Sequence, residues 1–225
     1  MTTESFTETM RQECATIWEA QLVHPFVLAL ADGTLPQETF QYYIAQDARF
    51  LTSLAHAFAF AATKTDDHDR IVRLGEMCVE TVRVERALHE QYAAHFGMSV
   101  AAMAAVPMAP SNYAYTRHML SVCATGTLVE AVTVTLPCAW IYAAIGQHFT
   151  MQGAPPADHP YREWLATYAD PGFAAVANWL RAVVDAEAAR LDAAAQARLR
   201  DIFRTSSEYE WLFWQMAWTR ETWPV

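Results

Sequence analysis

The chain has 225 residues, 53% of them hydrophobic and 18% charged. This composition excludes a disordered or low-complexity protein and suffices for a packed core without disulfide staples. Its 15 Lys and Arg against 25 Asp and Glu give a net charge of -10, the wrong sign for neutralising phosphates or anionic lipid, which argues against nucleic acid and membrane surfaces as partners. Only 7 Gly and 10 Pro interrupt the chain, and few breakers mean long helices.

Apolar residues recur at three- and four-residue steps nearly throughout, and no strict alternation bounded by hairpin dipeptides appears. The pattern predicts an all-α, single-domain helical bundle over residues 1–225. A first helix is expected from about Thr3 to Val23, ending where Pro25 holds His24 extended. HPFVLALADG follows as a short turn with Gly33 at its exit. Thr34 and Gln37 have the spacing of a capping box, with Pro36 in the first turn of a second helix that reaches about Lys64. TDDHD supplies the cap and acidic first turn of a third helix, from about Asp67 to Phe96, with Gly97 as its stop.

A short helix and a Pro-rich connection fill SVAAMAAVPMAPSN. Helices are then expected over Tyr113 to Cys123 and Leu128 to about Met151, with QGAPPADHP as a loop after them. The last three helices are Pro160 to Tyr168, Pro171 to about Leu191 and Ala193 to Trp223. The longest apolar stretch, Ala131 to Gly146, contains Thr133, Thr135 and Pro137 and falls short of the ~20 residues of a membrane span. The start, MTTESFTETMRQEC, has no apolar segment behind a basic one. A cytoplasmic protein is expected, with Cys14, Cys78, Cys123 and Cys138 reduced and in no metal-type spacing.

Three polar side chains fall on faces that the periodicity assigns to the core. Asp47 shares a stripe with Tyr43, Phe50 and Leu54, where a carboxylate is costly without a donor or ligand. Spacing alone leaves a partly exposed helix carboxylate open as well. Cys138 lies at i,i+4 steps from Glu130, Val134 and Tyr142, directly after Pro137, whose place inside a helix costs ~3 kcal/mol. Breaking a local rule favours a functional site, whereas a lone thiol on an apolar helix also fits a small inert hydrophobe. Glu210 shares an aromatic face with Ser206, Phe213, Trp214 and Ala217, while Glu208 turns to solvent. Such surroundings favour the neutral carboxyl, which suits a general acid or base, and equally a structural carboxylate bonded to a neighbouring helix. Phe50, Tyr115, Tyr142 and Tyr168 are candidates for lining a pocket around a flat ring, or for core.

These residues lie in segments that resemble the TenA/thiaminase II family across nearly the whole chain. The segments are HPFVLALADGTLPQETFQYYIAQDARFL (His24 to Leu51), NYAYTRHMLSV, TLVEAVTVTLPCAWIYAAIG and SSEYEWLFWQMAW. HPFV with DGTLP, LPC-x-W-x-Y and YE-x-x-FW, in this order, make a specific set, similar to the form of the family with a cysteine nucleophile. The resemblance implies a haem-oxygenase-like fold, a homotetramer and hydrolysis of thiamine-derived aminopyrimidines for salvage. The implied substrate is 4-amino-5-aminomethyl-2-methylpyrimidine, converted to the 5-hydroxymethyl product with loss of ammonia, or thiamine cleaved at its methylene bridge. By motif, Cys138 is the nucleophile and Glu210 the acid/base group. Asp47 matches the carboxylate that holds the pyrimidine's amidine-like edge, and Phe50, Tyr115, Tyr142 and Tyr168 match the ring-contacting aromatics. The residue after the cysteine, commonly aromatic in the family, is Ala139 here.

No metal or other cofactor is expected. Haem would need an axial ligand, and the candidate His24 precedes Pro25 with no glycine-rich helix opposite. A di-iron site would want Glu-x-x-His pairs, whereas Glu85 and His89 are four apart and read as a helix-surface pair. A binding or regulatory protein would need no nucleophile. The 8 Trp, 9 Tyr and 11 Phe exceed what a small interior readily covers, which points to self-association.

Overall fold

The computed structural model describes residues 4–96, 100–151 and 153–225, and of 85–96, 100 and 104 the backbone alone. Among these residues every regular element is an α-helix: α1 Phe6–Glu13, α2 Ala15–Leu22, α3 Pro25–Asp32, α4 Gln37–Ala62, α5 His68–Phe96, α6 Val100–Ala105, α7 Pro110–Thr125, α8 Leu128–Thr150, α9 Arg162–Ala169, α10 Pro171–Ala188 and α11 Ala193–Thr219. The expected stop at Gly97 and the side chains of Glu85 and His89 lie outside the described residues.

Helix ends follow local chemistry. His24 is extended (φ -64°, ψ 135°) before Pro25, and its Nδ1 accepts from Phe26 N at 3.1 Å, so this histidine is the N-cap of α3. Gly33, at φ +81°, occupies the left-handed conformation that closes α3. Asp67 Oδ1 accepts from Asp69 N and Arg70 N at 3.0 and 3.2 Å at the start of α5. Pro171 opens α10 behind Asp170, whose Oδ1 accepts from Gly172 N at 2.7 Å.

Four expectations change. The first helix is two, because Cys14 leaves the helical conformation (φ -101°, ψ 14°) and the axes of Phe6–Glu13 and Ala15–Asp32 meet at 71°. HPFVLALADG is not a turn but carries α3. The Thr34 capping box does not form: Thr34 N and Oγ1 both donate to Asp32 Oδ1, at 2.9 and 2.6 Å, and α4 starts behind Pro36 with no side-chain cap. The last helix stops at Thr219 rather than Trp223. Arg220 turns left-handed (φ 51°) while Arg220 N and Glu221 N donate to Ala217 O and Met216 O at 3.3 and 3.0 Å, the Schellman pattern.

The chain groups into two compact units: Met1–Thr34 with Val132–Trp211, and Leu35–Ala131 with Leu212–Val225. In the first, α1 packs on α10 and α10 on α9, and Phe26, Leu30, Leu136, Ile141, Leu180 and Phe203 are among its buried side chains. In the second, α4 lies against α5, α6 and α7, burying Phe40, Leu74, Met77 and Met119. Helix α8 spans 23 residues and exceeds the apolar stretch read from sequence, long and apolar enough to cross a membrane. However, 83% of its most apolar window is buried inside the protein, as in a core helix.

Candidate active site

Cys138 stands on α8, which starts on a reciprocal cap. Thr127 N and Oγ1 donate to Glu130 Oε2 at 2.6 and 3.1 Å, and Glu130 N donates back to Thr127 Oγ1 at 3.4 Å. Glu130, which shares the cysteine's stripe, is therefore the carboxylate of a capping box. Pro137 lies inside the helix, so the Thr133 carbonyl one turn back has no N–H to accept from it. The Thr133 hydroxyl is fully buried and, among the described residues, has no hydrogen-bond partner. The turn before the cysteine thus carries polar groups that the helix itself does not satisfy.

All four cysteines carry thiols outside disulfides, and their surroundings differ. Cys123 is fully buried, with Sγ 3.9 Å from Ala131 O, and burial pushes its thiol up to about 12. Burial also pushes the Cys14 thiol up, against the opposing pull of a hydrogen bond with Arg204. Cys138 is half-buried, as is Cys78 on α5. A nucleophile must be both reachable and ionisable, which disqualifies Cys14 and Cys123.

Glu210 is 1% exposed on α11, and the neighbouring Glu208 faces solvent as its spacing predicts. The turn that carries Glu210 is fastened to α2. Trp18 Nε1 donates to Ser207 Oγ at 3.4 Å and Gln21 Nε2 to Ser207 O at 3.1 Å. His24 meets the Trp211 ring edge-on at 5.2 Å. Sequence reasoning missed Trp18, Gln21 and Ser207 as supports. Their signal was a serine pair on an aromatic face.

Tyr142, one turn beyond Cys138, lies 4.7 Å from Tyr168, and Trp164 and Phe173 pack on Tyr168 at 4.5 and 4.9 Å. Gly146 sets this spacing. A Cβ there would sit 2.3 Å from the carbonyl carbon and oxygen of Tyr168 and 2.6 Å from Ala169 N, so only glycine lets α8 approach the end of α9 this closely.

In the second unit, Asp47 is 6% exposed on α4, flanked by a hydrogen-bonded clamp. Gln46 Nε2 donates to Pro107 O at 2.8 Å, while its Oε1 accepts from Ala109 N and Asn112 Nδ2, both at 3.0 Å. One turn on, Phe50 packs on Tyr115 at 5.0 Å and on Phe213 at 5.6 Å. Tyr43, on the Asp47 stripe, stacks on Trp214 at 5.8 Å. The structure therefore brings Phe50 together with Tyr115, and Tyr142 with Tyr168. Among the described residues, no group of three or more His, Cys, Asp or Glu is placed to hold a metal ion.

Four similarities to known proteins bear on this arrangement. The profile of the TENA/THI-4/PQQC family matches residues 11–220. An aminopyrimidine aminohydrolase of Halalkalibacterium halodurans is 36% identical over 221 residues, which cover 97% of this chain and 98% of that protein. The TenA homologue from P. horikoshii superposes with a TM-score of 0.85 at 30% identity, over 96% of this chain and 99% of its own. A domain of unknown function from Shewanella denitrificans, described as having a heme oxygenase-like fold, superposes with a TM-score of 0.73 at 13% identity, over 97% and 94% of the two chains. The fold is of this haem-oxygenase-like type.

Proposed function

Because the chain belongs to the TENA/THI-4/PQQC family, we propose that it hydrolyses thiamine-derived aminopyrimidines at the exocyclic C–N bond. The observation that carries this reading is its likeness, over nearly the full length of both chains, to an aminopyrimidine aminohydrolase. The substrate is 4-amino-5-aminomethyl-2-methylpyrimidine, converted to the 5-hydroxymethyl product and ammonia, with thiamine cleavage as a second activity.

Direct displacement at the methylene would drive an amine from an electron-poor ring. Addition of the Cys138 thiolate to a ring carbon lets ring electrons expel it instead. Glu210, as the acid, gives the departing nitrogen its proton. The resulting carboxylate takes a proton from water as the water oxygen bonds to the methylene, and ring electrons return to expel the thiolate. Asp47 remains ionised and accepts hydrogen bonds from the amidine-like edge of the ring. Phe50, Tyr115, Tyr142 and Tyr168 contact its faces and edges. No step calls for a metal or cofactor.

Burial of Cys14 and Cys123 leaves the half-buried Cys138 and Cys78 as reachable thiols, and the LPC-x-W-x-Y motif supports Cys138 of the two. The protein works in the cytoplasm as a homotetramer, in keeping with exposed apolar side chains such as Val23, Val72 and Trp223. Mass spectrometry of products after incubation with the aminomethylpyrimidine, with thiamine and with the N-formylated form of the aminomethylpyrimidine, a third candidate substrate, tests the activity. The 5-hydroxymethylpyrimidine is expected from the first two, and no product from any of the three would refute the reading.

A further inference from the structure

Helix α4 is joined to α7 by rungs one turn apart, and the C-terminal tail supplies one of them. Tyr42, Gln46 and Phe50 recur at four-residue steps and share one stripe of α4. Phe50 packs on Tyr115. Gln46 makes the middle rung, accepting from Asn112 Nδ2 through both its backbone O (2.8 Å) and its Oε1 (3.0 Å). At Tyr42 the link runs through Glu221: the Tyr42 hydroxyl donates to Glu221 O, and Ser111 N donates to Glu221 Oε2 at 2.9 Å. Ser111 is one turn before Tyr115 on α7, and Tyr42 is two turns before Phe50 on α4, so this rung ties the two helices close to the Phe50–Tyr115 contact.

The tail reaches this position by design of its own backbone. Arg220 leaves α11 left-handed, its guanidinium pairs with Glu38 at 2.9 Å, and Trp223 Nε1 donates to Met108 O at 2.9 Å. A left-handed arginine is strained relative to glycine, and these contacts offset that strain.

We infer that Glu221 is a positioning residue for the pyrimidine-binding platform: by tying Tyr42 to Ser111 it fixes the register of α4 against α7, and so the geometry of Phe50 and Tyr115. This rests on the reading of those two rings as substrate contacts. The carboxylate acts through the helices and does not itself meet the substrate. Its loss therefore shows in KM for the pyrimidine, with kcat retained.

The test is steady-state kinetics with the aminomethylpyrimidine, alongside thermal melting, on full-length Glu221→Ala, Glu221→Gln and Tyr42→Phe. Removing one rung should raise KM about 3- to 10-fold in Glu221→Ala and Tyr42→Phe, the worth of a single hydrogen bond. Glu221→Gln keeps an oxygen for Ser111 N and should restore the wild-type KM. An unchanged KM in either rung-breaking variant overturns the inference, including the case where the melting midpoint alone falls. Should Glu221→Ala fail to fold, Tyr42→Phe, which loses one hydroxyl, decides by itself. Phe50→Ala separates the two layers of the argument. If it leaves KM unaltered, the platform reading fails, and if it raises KM while Glu221→Ala does not, only the role of Glu221 fails.

Discussion

Tyr142 and Tyr168 meet through tilted ring contacts and a backbone approach that Gly146 alone permits, whereas Phe50 and Tyr115 sit on helices joined by directional bonds from Gln46, Asn112 and Glu221. Ring packing is tolerant of small sliding, so the first pair depends on shape. Hydrogen bonds fix register, so the second depends on polar side chains remote from the rings. The first unit also holds Cys138 and Glu210, which in the proposed mechanism change covalent or protonation state, while the second holds Asp47, to which the proposal gives orientation of the ring. Substitutions should accordingly separate: losses of kcat at Cys138 and Glu210, and losses of affinity at Asp47 and at the ring contacts.

The largest effect is expected at Cys138. Cys138→Ser should abolish turnover while pyrimidine binding, followed by calorimetry, persists. Cys14→Ala, Cys78→Ala and Cys123→Ala should retain kcat. Near-normal turnover in Cys138→Ser would remove the reactive half of the comparison.

Next come the two carboxylates. Glu210→Gln should lower kcat by roughly 10² to 10⁴ with little change in affinity, the range for lost acid-base catalysis. Asp47→Asn, unable to accept the same charge-assisted bonds, should weaken binding as well as turnover. Dissociation constants and kcat for both variants check the assignment. Loss of affinity alone in Glu210→Gln together with loss of kcat alone in Asp47→Asn would mean the roles are reversed.

Gly146→Ala sharpens the contrast in packing. Backbone atoms of Tyr168 stand 2.3 Å from the added Cβ, so α9 must move, at a cost of about 1–3 kcal/mol in thermal or denaturant unfolding. The displaced Tyr168 should also raise KM for the pyrimidine. Unaltered stability would show that the close approach is not maintained in solution.

The smallest effect concerns the inert thiol. Burial raises Cys123 from 9.0 to about 12, so the folded state retains the neutral thiol while the unfolded chain ionises. The stability it contributes is fully present below 9.0 and is lost as pH rises through about 12. Cys123→Ala should therefore flatten the alkaline decline of stability in this window, measured by denaturant titration at stepped pH. An identical decline in the variant would assign it to other groups, Tyr42 first, whose hydroxyl burial also lifts to about 12.

The all-helical fold was legible in the apolar periodicity, and the cap at Asp67, the helix start at Pro171 and the exit at Gly33 were legible because each is a local event. Two capping boxes show where such reading stops. Thr34-x-x-Gln37 has the pattern but loses to a nearer acceptor, Asp32. Thr127-x-x-Glu130 forms the box, although in the sequence its glutamate stands out only as a member of the cysteine's stripe. The 71° break at Cys14 and the stop at Thr219 carry no proline or glycine signal. Burial of Asp47 and Glu210 followed from their stripes. The clamp at Gln46, the support of Ser207 and the closeness at Gly146 each join segments distant in sequence, which one-dimensional spacing does not report.

Covalent participation of Cys138 is most directly tested by acid-quenching Glu210→Gln after mixing with thiamine and mapping its peptides by mass spectrometry. The thiazole leaves as a neutral ring and needs no proton, so thiolate addition and expulsion proceed, while water activation, which needs the Glu210 carboxylate, does not. The account predicts a pyrimidine adduct on the peptide bearing Cys138. Thiamine cleavage with Cys138 unmodified, or an adduct on another cysteine, would contradict it.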